Sequence, residues 1–213
     1  MIEQLKSEKI IAIMRAIQPD QMLRAAKALM DGGIHFIEVT FQQGSPTCIE
    51  DTTSAIRALT EAYPDLHVGA GTVMTVEQAE AAHAAGAKYI ISPNVNPAVI
   101  RRTVELGMLS MPGALTPSEI AEAWEAGATF VKLFPAGTFG PSYVKAVRAP
   151  LRHIPLLAVG GVNLENIPAF LKVGISGFGI GESLVRKSFI ENGDFAALTE
   201  LAKQYVEAAK SAE

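Results

Sequence analysis

Eight short apolar segments alternate with helical patterns along this chain of 213 residues. The segments predict strands at Ile10–Arg15, Phe36–Phe41, His67–Val73, Tyr89–Pro93, Leu109–Leu115, Phe130–Ala136, Leu156–Gly161 and Gly177–Gly181. The stretches between and after them predict helices at Pro19–Met30, Pro46–Ala62, Thr75–Ala85, Pro97–Leu106, Pro117–Ala126, Pro141–Leu151, Leu164–Val173 and Phe195–Lys210. Strands separated by helices in this way form βαβ units, and βαβ units build a parallel sheet.

The ends of the predicted helices support this alternation. Four helices follow a cap residue and a proline, at Ser45-Pro46, Asn96-Pro97, Thr116-Pro117 and Gly140-Pro141. An open doubly wound sheet would need a glycine-rich fingerprint after the first strand, and Arg15-Ala16-Ile17-Gln18 is not one. Eight units in about 200 residues instead match a small (β/α)₈ barrel. We therefore predict an α/β fold, a TIM barrel of eight parallel strands, as a single domain over residues 1–213.

A short amphipathic helix at Met1–Glu8 is expected before the first strand, where it could cap the bottom of the barrel. No apolar run in the sequence is long enough to span a bilayer, and the N-terminus lacks the apolar stretch of a signal peptide. Cys48 is the only cysteine, which fits a reducing cytoplasm. The sequence thus predicts a cytoplasmic protein without a membrane partner.

Composition and charge exclude several classes of function. Apolar residues make up 49% of the chain and charged residues 19%, which is typical of a folded domain. The net charge of −4 offers no basic stripe for nucleic acid. The four histidines are scattered, with no pair at ligand spacing, so neither a metal nor a cofactor is expected.

Lys132 lies in the middle of the sixth predicted strand, in the apolar segment Phe130–Pro135. Alternate side chains of a strand share a face, so Lys132 should point the same way as Phe130 and Phe134. Burial lowers the pKa of an amine and makes its neutral form available as a nucleophile, which can form a Schiff base with a carbonyl substrate. A snorkelling or ion-paired lysine is the alternative at this position.

Other polar residues interrupt the apolar strands near their carboxyl ends, where barrels build active sites. They are Arg15 in strand one, Glu38 and Thr40 in strand two, and Thr72 in strand three. Arg15, Glu38 and Lys132 could instead form a structural ion-pair network. As a site, Glu38 would move protons as general acid and base, Arg15 would bind a carboxylate, and Thr72 would add a hydrogen bond. This set is typical of a 2-oxo acid lyase.

Glycines mark a second candidate site after strands seven and eight. The segments are Val159–Val162 and Gly177–Ser183. The loops after these two strands form the recurrent phosphate site of the barrel, since glycine lets backbone N–H groups approach an anion. The alternative is that these glycines only allow tight turns. Glu182 is discordant, because it places an acid where an anion should bind.

An ordered set of motifs then identifies a family that the chain resembles nearly end to end. The motifs are Ile37-Glu38-Val39-Thr40, Val68-Gly69-Ala70-Gly71-Thr72-Val73, Ile91-Ser92-Pro93, Met111-Pro112-Gly113, Val131-Lys132-Leu133-Phe134-Pro135-Ala136 and Val159-Gly160-Gly161-Val162. The chain resembles the bacterial 2-keto-3-deoxy-6-phosphogluconate (KDPG) aldolases, a family that includes 4-hydroxy-2-oxoglutarate (KHG) and 6-phosphogalactonate variants.

The resemblance implies a role for each candidate residue. Lys132 would be the Schiff-base lysine and Glu38 the general acid and base. Thr72, Pro93 and Phe134 would line the pyruvate pocket, while Gly160, Gly161, Gly181 and Ser183 would hold phosphate. The resemblance also implies no metal, no cofactor and a homotrimer that binds a small 2-oxo acid.

Two departures from the phosphogluconate pattern concern substrate choice. Those enzymes often carry an arginine just after the Glu-Val-Thr motif, where this chain has Phe41-Gln42-Gln43, so Arg15 would take over the carboxylate. They usually have Pro-Thr before the paired glycines, where this chain has Ala158-Val159. Val159 resembles the 6-phosphogalactonate branch and removes a hydroxyl near C4 of the substrate.

The leading hypothesis is a class I aldolase that cleaves a 2-keto-3-deoxy-6-phospho-sugar acid, of gluconate or galactonate type, to pyruvate and glyceraldehyde 3-phosphate. An unphosphorylated 2-oxo acid such as 4-hydroxy-2-oxoglutarate is the alternative substrate, and Glu182 would suit it. A phosphosugar isomerase would need a second acid–base pair and no amine. A non-catalytic barrel scaffold would have no reason to keep a buried amine beside a carboxylate.

Overall fold

The computed structural model describes residues 1–210 and contains one parallel sheet surrounded by helices. The strands are β1 Ile10–Met14, β2 Phe36–Thr40, β3 His67–Gly71, β4 Tyr89–Ile91, β5 Leu109–Met111, β6 Gly113–Ala114, β7 Val131–Leu133, β8 Leu156–Val159 and β9 Gly177–Ile180. The helices are α1 Ile2–Glu8, α2 Pro19–Asp31, α3 Cys48–Ala62, α4 Val76–Ala84, α5 Pro97–Glu105, α6 Pro117–Glu125, α7 Ala136–Arg148, α8 Ile167–Lys172, α9 Lys187–Glu191 and α10 Phe195–Lys210.

The strand order confirms the predicted barrel. The order is β5-β4-β3-β2-β1-β9-β8-β7-β6, and every pair of neighbours is parallel. The two edge strands, β5 and β6, are separated in sequence only by Pro112. The sheet therefore closes on itself through the chain, as the (β/α)₈ fold requires.

The fifth predicted strand, Leu109–Leu115, is divided into two pieces by Pro112. Proline has no N–H for a ladder hydrogen bond, so pairing stops there. Before it, β5 pairs with β4; after it, Gly113 aligns with Lys132 of β7. A Cβ on Gly113 would overlap the carbonyl group of Pro93, so only glycine permits this close approach. The interruption changes the pairing partner and closes the barrel beside Lys132.

Inward-facing side chains form a small core inside the barrel, separate from the larger core between strands and helices. The inner core consists of Leu5, Ile11, Phe36, Tyr89, Ile91, Met111, Phe130, Leu157 and Val159. Leu5 comes from α1 and is only 1% exposed, so the N-terminal helix does cap the bottom of the barrel, as predicted. The inner core fills the lower barrel and leaves the upper mouth to polar side chains.

Two of the four predicted cap residues form a side-chain hydrogen bond to the first turn of their helix. Asn96 Oδ1 accepts a hydrogen bond from the N–H of Ala98 at 3.1 Å, and Thr116 Oγ1 accepts one from Glu119 N at 3.3 Å. The prediction for Ser45-Pro46 is wrong, because a turn closed by Cys48 N and Ser45 O delays α3 to Cys48.

The other helix boundaries that differ also have local causes. α7 begins earlier than predicted, at Ala136, but Gly140, with φ 73°, is non-helical and divides α7 in two, so a helix does begin at Pro141 as predicted. The predicted start of α8 at Leu164 is delayed to Ile167, because an Asn163 turn precedes it. The five residues of α9 are too few to show helical periodicity in the sequence.

The last predicted helix, Phe195–Lys210, has the predicted bounds in α10, and the last three residues of the predicted domain, 211–213, lie outside the described residues. Within residues 1–210, no helix is both long and apolar enough to cross a membrane.

The role of Leu5 predicts a measurable difference between two residues of α1. We expect Leu5→Ala to lower the free energy of unfolding by about 2–4 kcal/mol, because it leaves a cavity at the base of the inner core. Ile2→Ala is the matched control, since Ile2 is 37% exposed and should cost far less. Urea unfolding followed by circular dichroism measures both, and equal losses would contradict the capping role of Leu5.

Candidate active site

The carboxyl ends of the strands surround a cavity of about 580 Å³ that opens at the top of the barrel. The eleven residues to which roles were assigned all line this cavity: Arg15, Glu38, Thr72, Pro93, Lys132, Phe134, Val159, Gly160, Gly161, Gly181 and Ser183. Thr40, the other polar residue predicted at the mouth, is buried in β2 and does not line the cavity. The eleven residues come from β2, β7 and β8 and from the segments after β1, β3, β4, β7, β8 and β9. The fold thus brings distant parts of the sequence to a single mouth.

Lys132 lies at the floor of this cavity and is 7% exposed. Its neighbours along the chain, Val131 and Leu133, belong to the outer core, while Phe130 belongs to the inner one. The predicted alternation of faces in β7 is therefore confirmed. Burial lowers the pKa of the Lys132 amine, and Arg15 lowers it further, while Glu38 acts in the opposite direction. The net lowering favours the neutral, nucleophilic amine.

Glu38 faces the same cavity from β2 and is 2% exposed. Burial raises the pKa of its carboxyl group, and the positive charges of Lys132 and Arg15 offset part of that effect. A carboxyl group with a raised pKa can both give and take a proton near neutral pH. Its Oε2 accepts no hydrogen bond from the described residues, so this oxygen is available to a ligand or water.

The two glycines of the Gly69-Ala70-Gly71 segment give room to functional side chains of neighbouring strands. A Cβ on Gly71 would overlap the Glu38 carboxylate, and a Cβ on Gly69 would overlap the ring of Tyr89. The hydroxyl of Tyr89 donates to the carbonyl oxygen of Ile37 at 2.7 Å, beneath Glu38. The glycines of β3 therefore allow Glu38 and Tyr89 to occupy the centre of the barrel.

Phe134 forms part of the cavity wall next to the amine. Its ring centroid lies 4.9 Å from Lys132 Nζ, and the side chain is 39% exposed at the mouth. A Cβ on Gly160 would come within 3.0 Å of the Phe134 ring, so glycine at this position gives the ring its room. An aromatic face over a buried amine limits its contact with water on that side.

The second half of the cavity is built from the loops after β8 and β9. Ser183 Oγ donates to the Val162 carbonyl at 2.6 Å, which joins the two loops. Asn166 Nδ2 donates to the Gly161 carbonyl at 2.8 Å, and Gly137 N donates to the Gly160 carbonyl at 2.7 Å. These bonds fix the glycine turn as a rigid edge of the cavity.

Several N–H groups along this edge are unpaired. Within residues 1–210, those of Gly161, Val162, Glu182 and Ser183 donate to no other protein atom. Unpaired N–H groups lining a cavity are what an anion needs. Glu182 is the acidic residue at this predicted phosphate site. Its carboxylate has a structural role, because it accepts a hydrogen bond from Lys187 N at 3.0 Å, at the first turn of α9.

Some lining residues were not among the predicted site residues: Ile13, Val162, Asn163, Gly179 and Glu182. Asn163 is the most informative, because its Oδ1 accepts hydrogen bonds from the N–H groups of Glu165 and Asn166. Asparagine commonly forms such turns, so the Asn163–Asn166 segment carried a recognisable turn signal. Among the described residues, no group of three or more His, Cys, Asp or Glu side chains could hold a metal ion.

A closed (β/α)₈ barrel with a buried amine and a buried carboxyl group at its mouth is suited to imine chemistry. The sequence model for KDPG and KHG aldolase matches residues 1–201. The chain therefore belongs to the KDPG and KHG aldolase family, and it is an aldehyde-lyase of that type.

Individual relatives agree with the family assignment. The 2-dehydro-3-deoxy-6-phosphogalactonate aldolase of Escherichia coli strain K12 is 40% identical over 83% of this chain and 84% of its own. A solved structure described as native KDPGal has a TM-score of 0.85 at 36% identity and covers 95% of each chain. A KDPG aldolase from Legionella pneumophila, with pyruvate captured at low pH as a covalent carbinolamine, has a TM-score of 0.84 at 29% identity. That likeness covers 93% of this chain and 94% of the other.

The electrostatics of the site predict opposite effects of two substitutions on the Lys132 amine. Glu38→Gln removes the charge that favours the ammonium form, so the pH midpoint for acylation of Lys132 should fall. Arg15→Met removes a repelling cation, so the midpoint should rise. Peptide mass spectrometry after brief acylation at a series of pH values measures both. Arg101→Met, an exposed position on α5, should shift nothing, and a common direction for the two site variants would contradict the account.

Proposed function

We propose that this protein is a class I aldolase that cleaves a 2-keto-3-deoxy-6-phospho-sugar acid, of gluconate or galactonate type, to pyruvate and glyceraldehyde 3-phosphate. The observation that carries the proposal is the pairing of a buried amine, Lys132, with a buried carboxyl group, Glu38, in one open cavity. Both pKa shifts move the groups towards the neutral forms that imine formation uses.

In the proposed reaction, the neutral Lys132 amine attacks the 2-oxo carbon and forms a carbinolamine. Glu38 supplies the proton that lets water leave, which gives the protonated imine, whose positive charge can accept the electron pair of the C3–C4 bond. The carboxylate form of Glu38 then takes the proton of the C4 hydroxyl as the C3–C4 bond breaks, releasing the aldehyde and leaving an enamine. Protonation at C3 and hydrolysis release pyruvate and restore the amine.

The remaining cavity residues have roles in binding. Arg15 and Thr72 would bind the substrate carboxylate, with Pro93 and Phe134 packing against the pyruvate unit. The unpaired N–H groups near Gly160, Gly161, Gly181 and Ser183 would hold the phosphate at the other end of the cavity. Val159 stands between these two ends, where its methyl groups, rather than a hydroxyl, would face C4 of the substrate.

An unphosphorylated substrate such as 4-hydroxy-2-oxoglutarate is the second candidate. The observation in its favour is Glu182, which lines the cavity and brings a negative charge to the end where phosphate would bind. The hydrogen bond from Lys187 N gives that carboxylate a structural role, and the unpaired N–H groups beside it favour the phosphorylated substrate.

We also propose that the chain acts in the cytoplasm as a homotrimer of single-domain subunits, without metal or other cofactor. Family membership supports the trimer. The lone Cys48, which is buried, supports a reducing compartment.

Borohydride trapping tests the proposed chemistry. We expect one reduced pyruvyl adduct per chain when the protein is mixed with pyruvate and sodium borohydride, and none with Lys132→Met, because within residues 1–210 only this amine is both buried and at the cavity floor. Intact-mass spectrometry measures the adduct. Lys145→Met, which changes an exposed lysine on α7, should keep it, and a wild-type protein without an adduct would contradict the proposal.

Phosphate competition distinguishes the two substrate classes. Inorganic phosphate should compete with a 6-phosphorylated substrate, raising KM without changing kcat, because both need the unpaired N–H groups. Potassium chloride at matched ionic strength is the control. Cleavage of 4-hydroxy-2-oxoglutarate with a higher kcat/KM than either phosphorylated epimer, unaffected by phosphate, would favour the second candidate.

A further inference from the structure

Thr72 has a backbone conformation that its side chain disfavours. Its φ is 58°, and among the described residues only Lys9 and Ala16 share a positive φ without being glycine. A β-branched side chain is rare in this left-handed region and keeps it only where neighbouring contacts impose it. Thr72 also lies directly after β3 in the cavity wall, so the contacts that hold it bear on the active site.

Two glutamine side chains supply those contacts. Gln43, in the loop between β2 and α3, donates from Nε2 to the Thr72 carbonyl oxygen at 2.7 Å. Gln78, on α4, accepts from Met74 N at 2.7 Å through Oε1. The two amides also bond to each other, since Gln78 Nε2 donates to Gln43 Oε1 at 3.2 Å and Gln43 Nε2 approaches Gln78 Oε1 at 3.4 Å. The pair therefore holds the backbone at Thr72 and at Met74, on both sides of Val73.

The two members of the pair are anchored differently. Gln78 is 7% exposed and belongs to a helix that begins at Val76. Gln43 is exposed and is followed by Gly44, at φ 87°, so its own loop gives it little support. The helix thus provides the fixed part, and Gln43 connects it to the Thr72 carbonyl.

We propose that Gln43, supported by Gln78, is a positioning residue that holds the Thr72 hydroxyl in place for the substrate carboxylate. This inference rests on the proposed function, in which Thr72 binds that carboxylate. Rotation of the Thr72 backbone would also move Gly71, which makes room for the Glu38 carboxylate. Gln43 does not line the cavity, so its effect on a bound carboxylate would pass through Thr72.

A double-mutant cycle tests the inference. We expect Gln43→Met, which keeps side-chain length but cannot form these hydrogen bonds, to raise KM about tenfold, with kcat changed less than about twofold. Thr72→Val should raise KM by at least as much. The double variant should match Thr72→Val alone, because Gln43 has no effect once the hydroxyl is gone.

Two further measurements separate positioning from structural support. Gln204→Met, at an exposed site on α10, should leave KM unchanged. A Gln43→Met enzyme with a lower Tm and wild-type KM, or effects that add fully in the double variant, would overturn the positioning role while pyruvate trapping on Lys132 still succeeded. Failure of trapping in the wild-type protein would overturn the proposed function, and with it the role of Thr72 on which this inference depends.

Discussion

The burial of Lys132 beside Glu38 is the interaction on which the rest of the site depends. Removing an amine and a carboxyl group from water favours the neutral form of each. Burial is therefore costly when both groups are charged, but it makes their neutral forms available for proton transfer. The inner core lies below this pair, and the ring of Phe134 covers the Lys132 amine on one side. Arg15, exposed at the rim, adds a positive charge that favours the neutral amine and the ionised carboxyl group, without entering the core.

The barrel accommodates this pair by leaving out side chains at selected positions. Gly69 and Gly71 on β3 make room for Tyr89 and Glu38, and Gly113 allows β6 to approach the backbone of Pro93. Pro112 ends one pairing and allows the next, which joins the sheet into a ring next to Lys132. Gly69 and Gly71 lie in the motif that also carries Thr72, and Gly113 aligns with Lys132 on the neighbouring strand. The same short segments therefore determine both barrel closure and cavity shape.

Much of this arrangement could be predicted from the sequence, because it follows from the two-residue period of strands and from the position of polar residues at strand ends. The two-residue repeat of a strand predicts which face a lysine between apolar residues occupies. Polar residues at the carboxyl ends of strands are predicted to lie at the barrel mouth. The split at Pro112, the five-residue α9 and the roles of Asn163 and the Gln43–Gln78 pair were not predicted. The Pro112 split and the glutamine pair depend on contacts between segments distant in sequence, and α9 is too short to have a period, whereas Asn163 carried a local turn signal that could have identified it. The structural role of Glu182 could not be predicted either, because it depends on the hydrogen bond that its carboxylate accepts from Lys187 N.

In the proposed reaction Lys132 and Glu38 act together: Lys132 holds the substrate carbon, and Glu38 moves its protons. Exchange of the pyruvate methyl protons with deuterium oxide, followed by NMR, tests this most directly because it requires both an imine and a base. We expect exchange in the wild-type protein, none in Lys132→Met, and none in Glu38→Gln, in which borohydride should still trap an adduct, but more slowly than in the wild type because Glu38 also assists the loss of water. Wild-type exchange rates in Glu38→Gln would contradict this expectation and assign the proton transfer to another group.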